Sequence, residues 1–491
     1  MRLTAFALAL IGVTFVLPAQ AAPQFTNGLT LAGDLLDLSG GSTVNNGRVG
    51  FFSDLYYDPN RMEWWGLSDR GPGGGTMNYD TRVHRFSLSV NPTTGSISTF
   101  KIEETIPFRF GSSPLNGLAP NPSNVLGLSF DPEGFVIVPR TGNFLVSDEY
   151  GPSLYEFGRD GALVRQFAMP PNLLPKISSN LDYTAAPKPG PLTSGREPNR
   201  GLEGLAISPD GKFAYAMLQN GTVTDGNSSG SSFARSLYSR ILKFDLGSGG
   251  VVGQYAYRLD GTGTAPAQGR GISALVALDD HRFLVLERNN RGVGVDSTLS
   301  PPQKLVYRID LLGASDVSLV DLNVANPTGV IPVTKQPTAL INLADPTTPA
   351  DSPLAALGGL APEKWEGLTI GPQLIDGSFL LLVGTDNGYS VSQNGTSTQL
   401  DVYYNSTMRL RAQCTLGTQV NCVAINADGS LGSPLGALPS GHALIPGVLQ
   451  AYKVTTSDLD GYSTPVPGPA PLLGAAAAFT RARQRRQRLH P

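Results

Sequence analysis

A strand unit returns along this chain at a nearly regular interval. Asp131-Pro132-Glu133-Gly134-Phe135-Val136-Ile137 leads to a turn at Thr141-Gly142-Asn143 and a second run, Phe144 to Gly151. A third run, Leu154 to Phe157, ends at the turn Arg159-Asp160-Gly161. The unit comes back at Gly201-Leu202-Glu203-Gly204-Leu205, at Gly271-Ile272-Ser273-Ala274-Leu275 and at Lys364-Trp365-Glu366-Gly367-Leu368. A weaker first copy spans Phe52 to Leu88. Glu133, Glu203 and Ser273 are spaced by 70 residues, and the step to Glu366 is 93, lengthened by a loop near 311–360.

Within these units apolar residues alternate with period two, as strands require, and no long amphipathic helix interrupts them. Gly (58) and Pro (39) supply about a fifth of the chain, which suits many short strands joined by turns. A lone sheet of three or four strands cannot bury both faces, so neighbouring units must stack. Radial closure of such a stack gives a β-propeller. Five units are visible and residues 401–460 are expected to supply a sixth. The fold class is therefore all-β, a six-bladed β-propeller, with a β-sandwich pair or a solenoid as alternatives.

The two ends carry processing signals. Residues 1–22 combine Arg2, an apolar stretch from Thr4 to Leu17 and Ala19-Gln20-Ala21, the pattern of a cleaved signal peptide. The body is expected over 23–463. Residues 464–491 run from a Pro-rich hinge through a short apolar stretch, Leu472 to Phe479, to Arg481, Arg483, Arg485, Arg486 and Arg488. This order resembles the bacterial PEP-CTERM sorting tail, although Gly468 stands where Glu is common and the apolar stretch is short and Ala-rich. The resemblance implies an exosortase-type enzyme as a partner after signal peptidase, with transient membrane contact through the tail. The expected location is periplasmic, cell-surface or extracellular. There Cys414 and Cys422 read as a local disulfide.

The formal charge is −3, and without Arg2 and the five C-terminal arginines the body stands at −9. That sign disfavours nucleic acid and favours cations. In a propeller the first strand of each blade lines the central channel, which brings Glu133, Glu203 and Glu366 to one axis. The second strands end in further acids: Asp148 and Glu149, Glu287, and Asp386. Crowded carboxylates require protonation or a cation. With no soft ligands beside them, calcium is expected, held by Glu133, Asp148, Glu149, Glu203, Glu287, Glu366 and Asp386. Arg70, Arg140, Arg200, Arg288 and Lys364 stand beside the acids and are candidate ligands for a small anionic substrate. They can equally pair with those acids.

Nucleophilic chemistry has little support. The four histidines have no metal-ligand spacing, and Gly226-Asn227-Ser228-Ser229-Gly230 fits G-x-S-x-G only inside a polar loop. No P-loop, dinucleotide fingerprint or zinc motif is present.

Taken together, Gly66-Leu67-Ser68-Asp69-Arg70-Gly71, Asp131-Pro132-Glu133-Gly134, Ser147-Asp148-Glu149-Tyr150-Gly151, Asn199-Arg200-Gly201-Leu202-Glu203-Gly204-Leu205, Leu286-Glu287-Arg288-Asn289 and Lys364-Trp365-Glu366-Gly367-Leu368 resemble the esterase-like phytase family over residues 30–460. The resemblance implies an exported, propeller-type hydrolase of phosphate or carboxylic esters. Two functions follow as expectations. One is a calcium-dependent phosphoesterase in which Glu203 and Glu366 are catalytic. The other is a non-catalytic, calcium-stabilised propeller that binds partners in the envelope or matrix. A carboxylesterase is a third, weakened by the missing triad.

Overall fold

The computed structural model describes residues 22–465 except for 42–44, 185–191, 227–235, 263–264, 267–268, 346–351 and 395–397. The expected signal peptide and sorting tail, and most of the G-x-S-x-G loop, lie outside the described residues.

The repeats fold as antiparallel sheets, each the blade of a propeller. Blade one holds Asp54–Asp58, Glu63–Leu67, Arg82–Val90 and Ile97–Pro107. Blade two holds Pro132–Ile137, Phe144–Asp148, Ser153–Phe157 and Leu163–Gln166. Blade three holds Leu202–Ile207, Phe213–Leu218, Tyr238–Asp245 and Val251–Arg258. Blade four holds Gly271–Ala277, Arg282–Arg288 and Lys304–Asp310, edged by Thr334–Lys335 and Ile341–Asn342. Blade five holds Lys364–Gln373, Phe379–Asp386, Gly447–Val454 and the N-terminal strand Gln24–Leu31. That last pairing, from Gln24 opposite Lys453 to Leu31 opposite Gly447, joins the two ends of the propeller within one blade.

The first strands of the blades touch in a closed ring of five, blade five returning to blade one. Five apolar clusters fill the five spaces between blades. Trp65, Phe135 and Phe144 pack between blades one and two, and Trp365 and Leu368 meet Ala274 and Leu286 between four and five. Each fully buried side chain of this size contributes roughly 1.5–3 kcal/mol.

The glycine of the recurring Glu-Gly pair has a steric task in this ring. A Cβ on Gly134 would lie 2.5 Å from the Glu203 carbonyl oxygen, one on Gly204 2.9 Å from Leu275 Cβ, and one on Gly367 2.6 Å from Leu55 Cγ. Each of these glycines lets the first strand of the next blade come in close.

The five visible repeats are the five blades. Residues 401–460 do not form the expected sixth blade, because Gly447–Val454 belongs to blade five. Val391–Asn394, Thr398–Asn405, Leu410–Thr415, Val420–Ile425 and Leu431–Ala437 form a separate sheet inserted between the second and third strands of blade five. None of its strands is among the first strands that make the ring. Buried Arg411 donates to the carbonyl oxygens of Gly294 and Ser297, and Arg48 pairs with Asp401 at 2.7 Å. Cys414 and Cys422 are bridged within the inserted sheet.

Candidate metal centre in the central channel

Each first strand of blades two to five carries a β-bulge at the same repeat position. The register skips from Pro132 to Gly134, Leu202 to Gly204, Ile272 to Ala274 and Trp365 to Gly367. The extra residues are Glu133, Glu203, Ser273 and Glu366. A bulge re-aims a side chain out of the regular alternation. Here it allows a polar residue within a strand that is otherwise almost wholly buried.

Asp69, Asp131 and Glu133 form the tightest group. One oxygen from each lies within 4.8 Å of the others, and all three residues are buried, so they are placed to hold a metal ion. Burial pushes the Asp69 carboxyl up to about 7, aided by the Asp386 charge and opposed by Lys364. Burial raises Asp131 to about 6 against the pull of Arg70. Burial, then the charges of Glu203 and Asp131, raise Glu133 well above the usual carboxylate range.

Glu149, Glu203 and Glu366 lie nearby. Burial raises Glu203 well above its ordinary value, with Glu149 and Glu366 pushing in the same direction. Glu203 accepts a bond from Gln219, and Glu366 accepts one from Arg288. In each of Glu149, Glu203 and Glu366 the second carboxylate oxygen is buried without a hydrogen-bond partner. Leaving a buried polar atom in that state costs roughly 1–3 kcal/mol.

Four of the five expected cationic side chains border the acids. Arg70 pairs with Asp131 at 2.8 Å and reaches Glu149 at 3.9 Å. Arg200 donates to Gln219 at 2.7 Å and Asn220 at 2.8 Å. Arg288 bonds Ser273 at 2.7 Å as well as Glu366. Lys364 pairs with Asp386, directly opposite it on the neighbouring strand. Buried Arg196 also acts on Glu149, so Asp69, Asp131, Glu133, Glu149, Glu203, Glu366 and Asp386 outnumber the bases by seven to five. This excess and the all-oxygen donor set fit a hard divalent cation.

Three expected residues are not brought to the cluster. Asp148 turns its oxygens onto the backbone N–H groups of Asp131, Tyr150 and Gly151, which fixes the loop. Glu287 is engaged by Lys335 and the Tyr257 hydroxyl, each at 2.7 Å, and by the Asp260 N–H. Arg140 is exposed on the hairpin that follows the first strand of blade two, at the opposite end of that strand from Asp131. Conversely, sequence reasoning passed over Asp69 and Asp131 as ligands. Asp69 lies two residues past the second strand of the weakest repeat, in the polar cluster that corresponds to the one holding Asp148, and that correspondence was the available signal.

Residues 47–389 match the family model described as Phytase-like: Esterase-like activity of phytase. An "Uncharacterized secreted protein" of Arthroderma benhamiae is 25% identical over 428 residues, which cover 70% of this chain and 81% of that protein. Among solved structures, streptogramin B lyase is 12% identical with a TM-score of 0.29, covering 88% of this chain and 99% of that one. The Dos1 propeller is 9% identical with a TM-score of 0.26, covering 87% and 74%. The ring of first strands, not these alignments, establishes the propeller.

Proposed function

Since the chain belongs to the phytase-like family, we propose that it is an exported, metal-dependent phosphoesterase acting on a phosphomonoester or an inositol phosphate. The observation that carries this reading is the buried group Asp69, Asp131 and Glu133 beside three carboxylates that each keep an unpartnered oxygen. Asp69, Asp131 and Glu133 would hold the cation, and calcium suits their oxygen donors. When bound, such an ion neutralises phosphate oxygens.

The chain's own groups would do the rest. Arg70, Arg200, Arg288 and Lys364 orient the phosphate through charge-assisted bonds. Glu203 or Glu366, with an oxygen to spare and a pKa raised by burial, takes a proton from the attacking water. The water oxygen bonds to phosphorus, the ester P–O bond breaks, and the proton passes to the departing alkoxide. Export agrees with the disulfide, which persists in oxidising compartments.

One observation favours a second reading, a calcium-stabilised binding propeller. Arg70, Arg200, Arg288 and Lys364 each already hold a polar partner. Phosphate release from a panel of phosphomonoesters and inositol phosphates, with calcium and with EDTA, separates the two. Calcium-dependent turnover supports the enzyme; none across the panel leaves the binding propeller.

A further inference from the structure

The central channel has a second mouth. The acid cluster gathers at the N-terminal ends of the first strands, and further along the same strands a pocket opens toward the other face of the ring. Each blade gives it one equivalent residue: Leu55, Phe135, Leu205, Leu275 and Leu368. The space is several times what a single water needs. Its lining is mostly apolar, as in pockets that take up small molecules.

One lining residue breaks this pattern. Gly134, Gly204, Ala274 and Gly367 precede the equivalent residues of blades two to five, but Asp54 precedes Leu55. Asp54 is the only residue of charged type that lines the pocket, and it is buried. Its carboxylate accepts from the N–H groups of Leu55 and Phe135, each at 2.8 Å. Among the described residues it has no ion-pair partner. Burial raises its carboxyl well above the ordinary value, against the pull of the N–H groups of Phe135, Leu55 and Leu368. A buried acid of this kind stays neutral until a cation arrives to pair with it. Beside it in the lining stand Tyr56 and Phe135, edge to face with ring centroids 6.2 Å apart. Aromatic rings also attract cations.

We propose that this mouth of the channel binds a small organic cation, an ammonium group carried on an apolar or aromatic body. The ammonium pairs with Asp54, and the body lies among Tyr56, Phe135 and the ring of leucines. The site needs neither the metal nor the phosphate chemistry of the opposite mouth.

Calorimetric titration of the protein with benzylammonium, beside its uncharged analogue benzyl alcohol, tests this. Wild type should bind the amine at least about 10-fold more tightly, as a hydrogen bond to a buried charge requires. Asp54→Asn should abolish that preference and leave the weaker binding of the alcohol in place. Asp54 also caps backbone N–H groups, so the site is located separately in wild-type crystals soaked with 4-bromobenzylamine. The bromine should give an anomalous peak among Leu55, Leu205 and Leu368. Equal affinity for amine and alcohol, or no binding of the amine, would overturn the inference. So would a folded Asp54→Asn protein that keeps the preference, or a bromine peak only at the acid cluster.

Discussion

Glu133 and Glu203 occupy the same bulged position in adjacent blades, and Gly134 packs against the Glu203 carbonyl oxygen. The Glu-Gly pair therefore combines two tasks: the glycine closes the ring while the glutamate enters the channel. A side chain on that glycine should disturb both. Gly134→Ala places a carbon 2.5 Å from backbone and should destabilise by about 1–3 kcal/mol. An unchanged urea midpoint would show that the blades can separate without cost.

Glu133→Gln keeps the shape of the side chain and removes a charge from the cluster. Wild type should gain about 3 kcal/mol of stability at calcium a hundredfold above its Kd, and most of that gain should vanish in the variant. Thermal unfolding across a calcium series reads the difference. Equal gains in the two proteins would place calcium elsewhere.

Glu203→Gln and Glu366→Gln address turnover. Loss of a general base costs 10²–10⁴-fold in rate, so one of the two variants should release phosphate at least about 100-fold more slowly while still binding calcium. If both retain full turnover, neither glutamate is the base; if calcium binding is lost together with turnover, the residue is a ligand.

Without metal, the channel acids should make the fold less stable as pH rises. Asp69 and Asp131 titrate near 7 and 6 when folded, against an ordinary 3.8. Between those values the folded state binds more protons than the unfolded one, so stability declines from about pH 4 to pH 7. Comparing Asp69→Asn with wild type in EDTA isolates this effect: wild type should lose ground to the variant over that window.

His84 acts in the opposite sense. It is buried between the hydroxyls of Ser68 and Thr105, each at 3.0 Å. Burial, with the Arg82 charge, pushes its pKa down to about 3. Its contribution is complete above pH 6.5 and is lost as pH falls toward 3. The stability of wild type relative to His84→Gln should drop by roughly 3 kcal/mol from pH 7 to pH 4. A constant difference would mean that the ring is not held neutral.

Much of the propeller was legible in the sequence because its repeat is written in local terms. Phe213–Leu218 and Phe379–Asp386 read directly as strands from apolar runs bounded by turns. The inserted sheet misled because its strands carry the same local signals as a blade. Only its place between Phe379–Asp386 and Gly447–Val454, a long-range pairing, sets it apart. The site was legible where residues recur, as at Glu133, Glu203 and Glu366. It failed where one residue type has two environments. Asp69 and Asp148 share a repeat position, yet Asp148 is consumed by backbone N–H groups while Asp69 also reaches the cluster.

The proposed phosphoesterase depends most on a cation held at the centre of the ring. Anomalous diffraction from crystals soaked in manganese, a stand-in for calcium with a usable signal, tests this directly. The expected result is a peak about 2.0–2.6 Å from oxygens of Asp69, Asp131 and Glu133. A channel without a peak, with ions only on the outer surface, would contradict it.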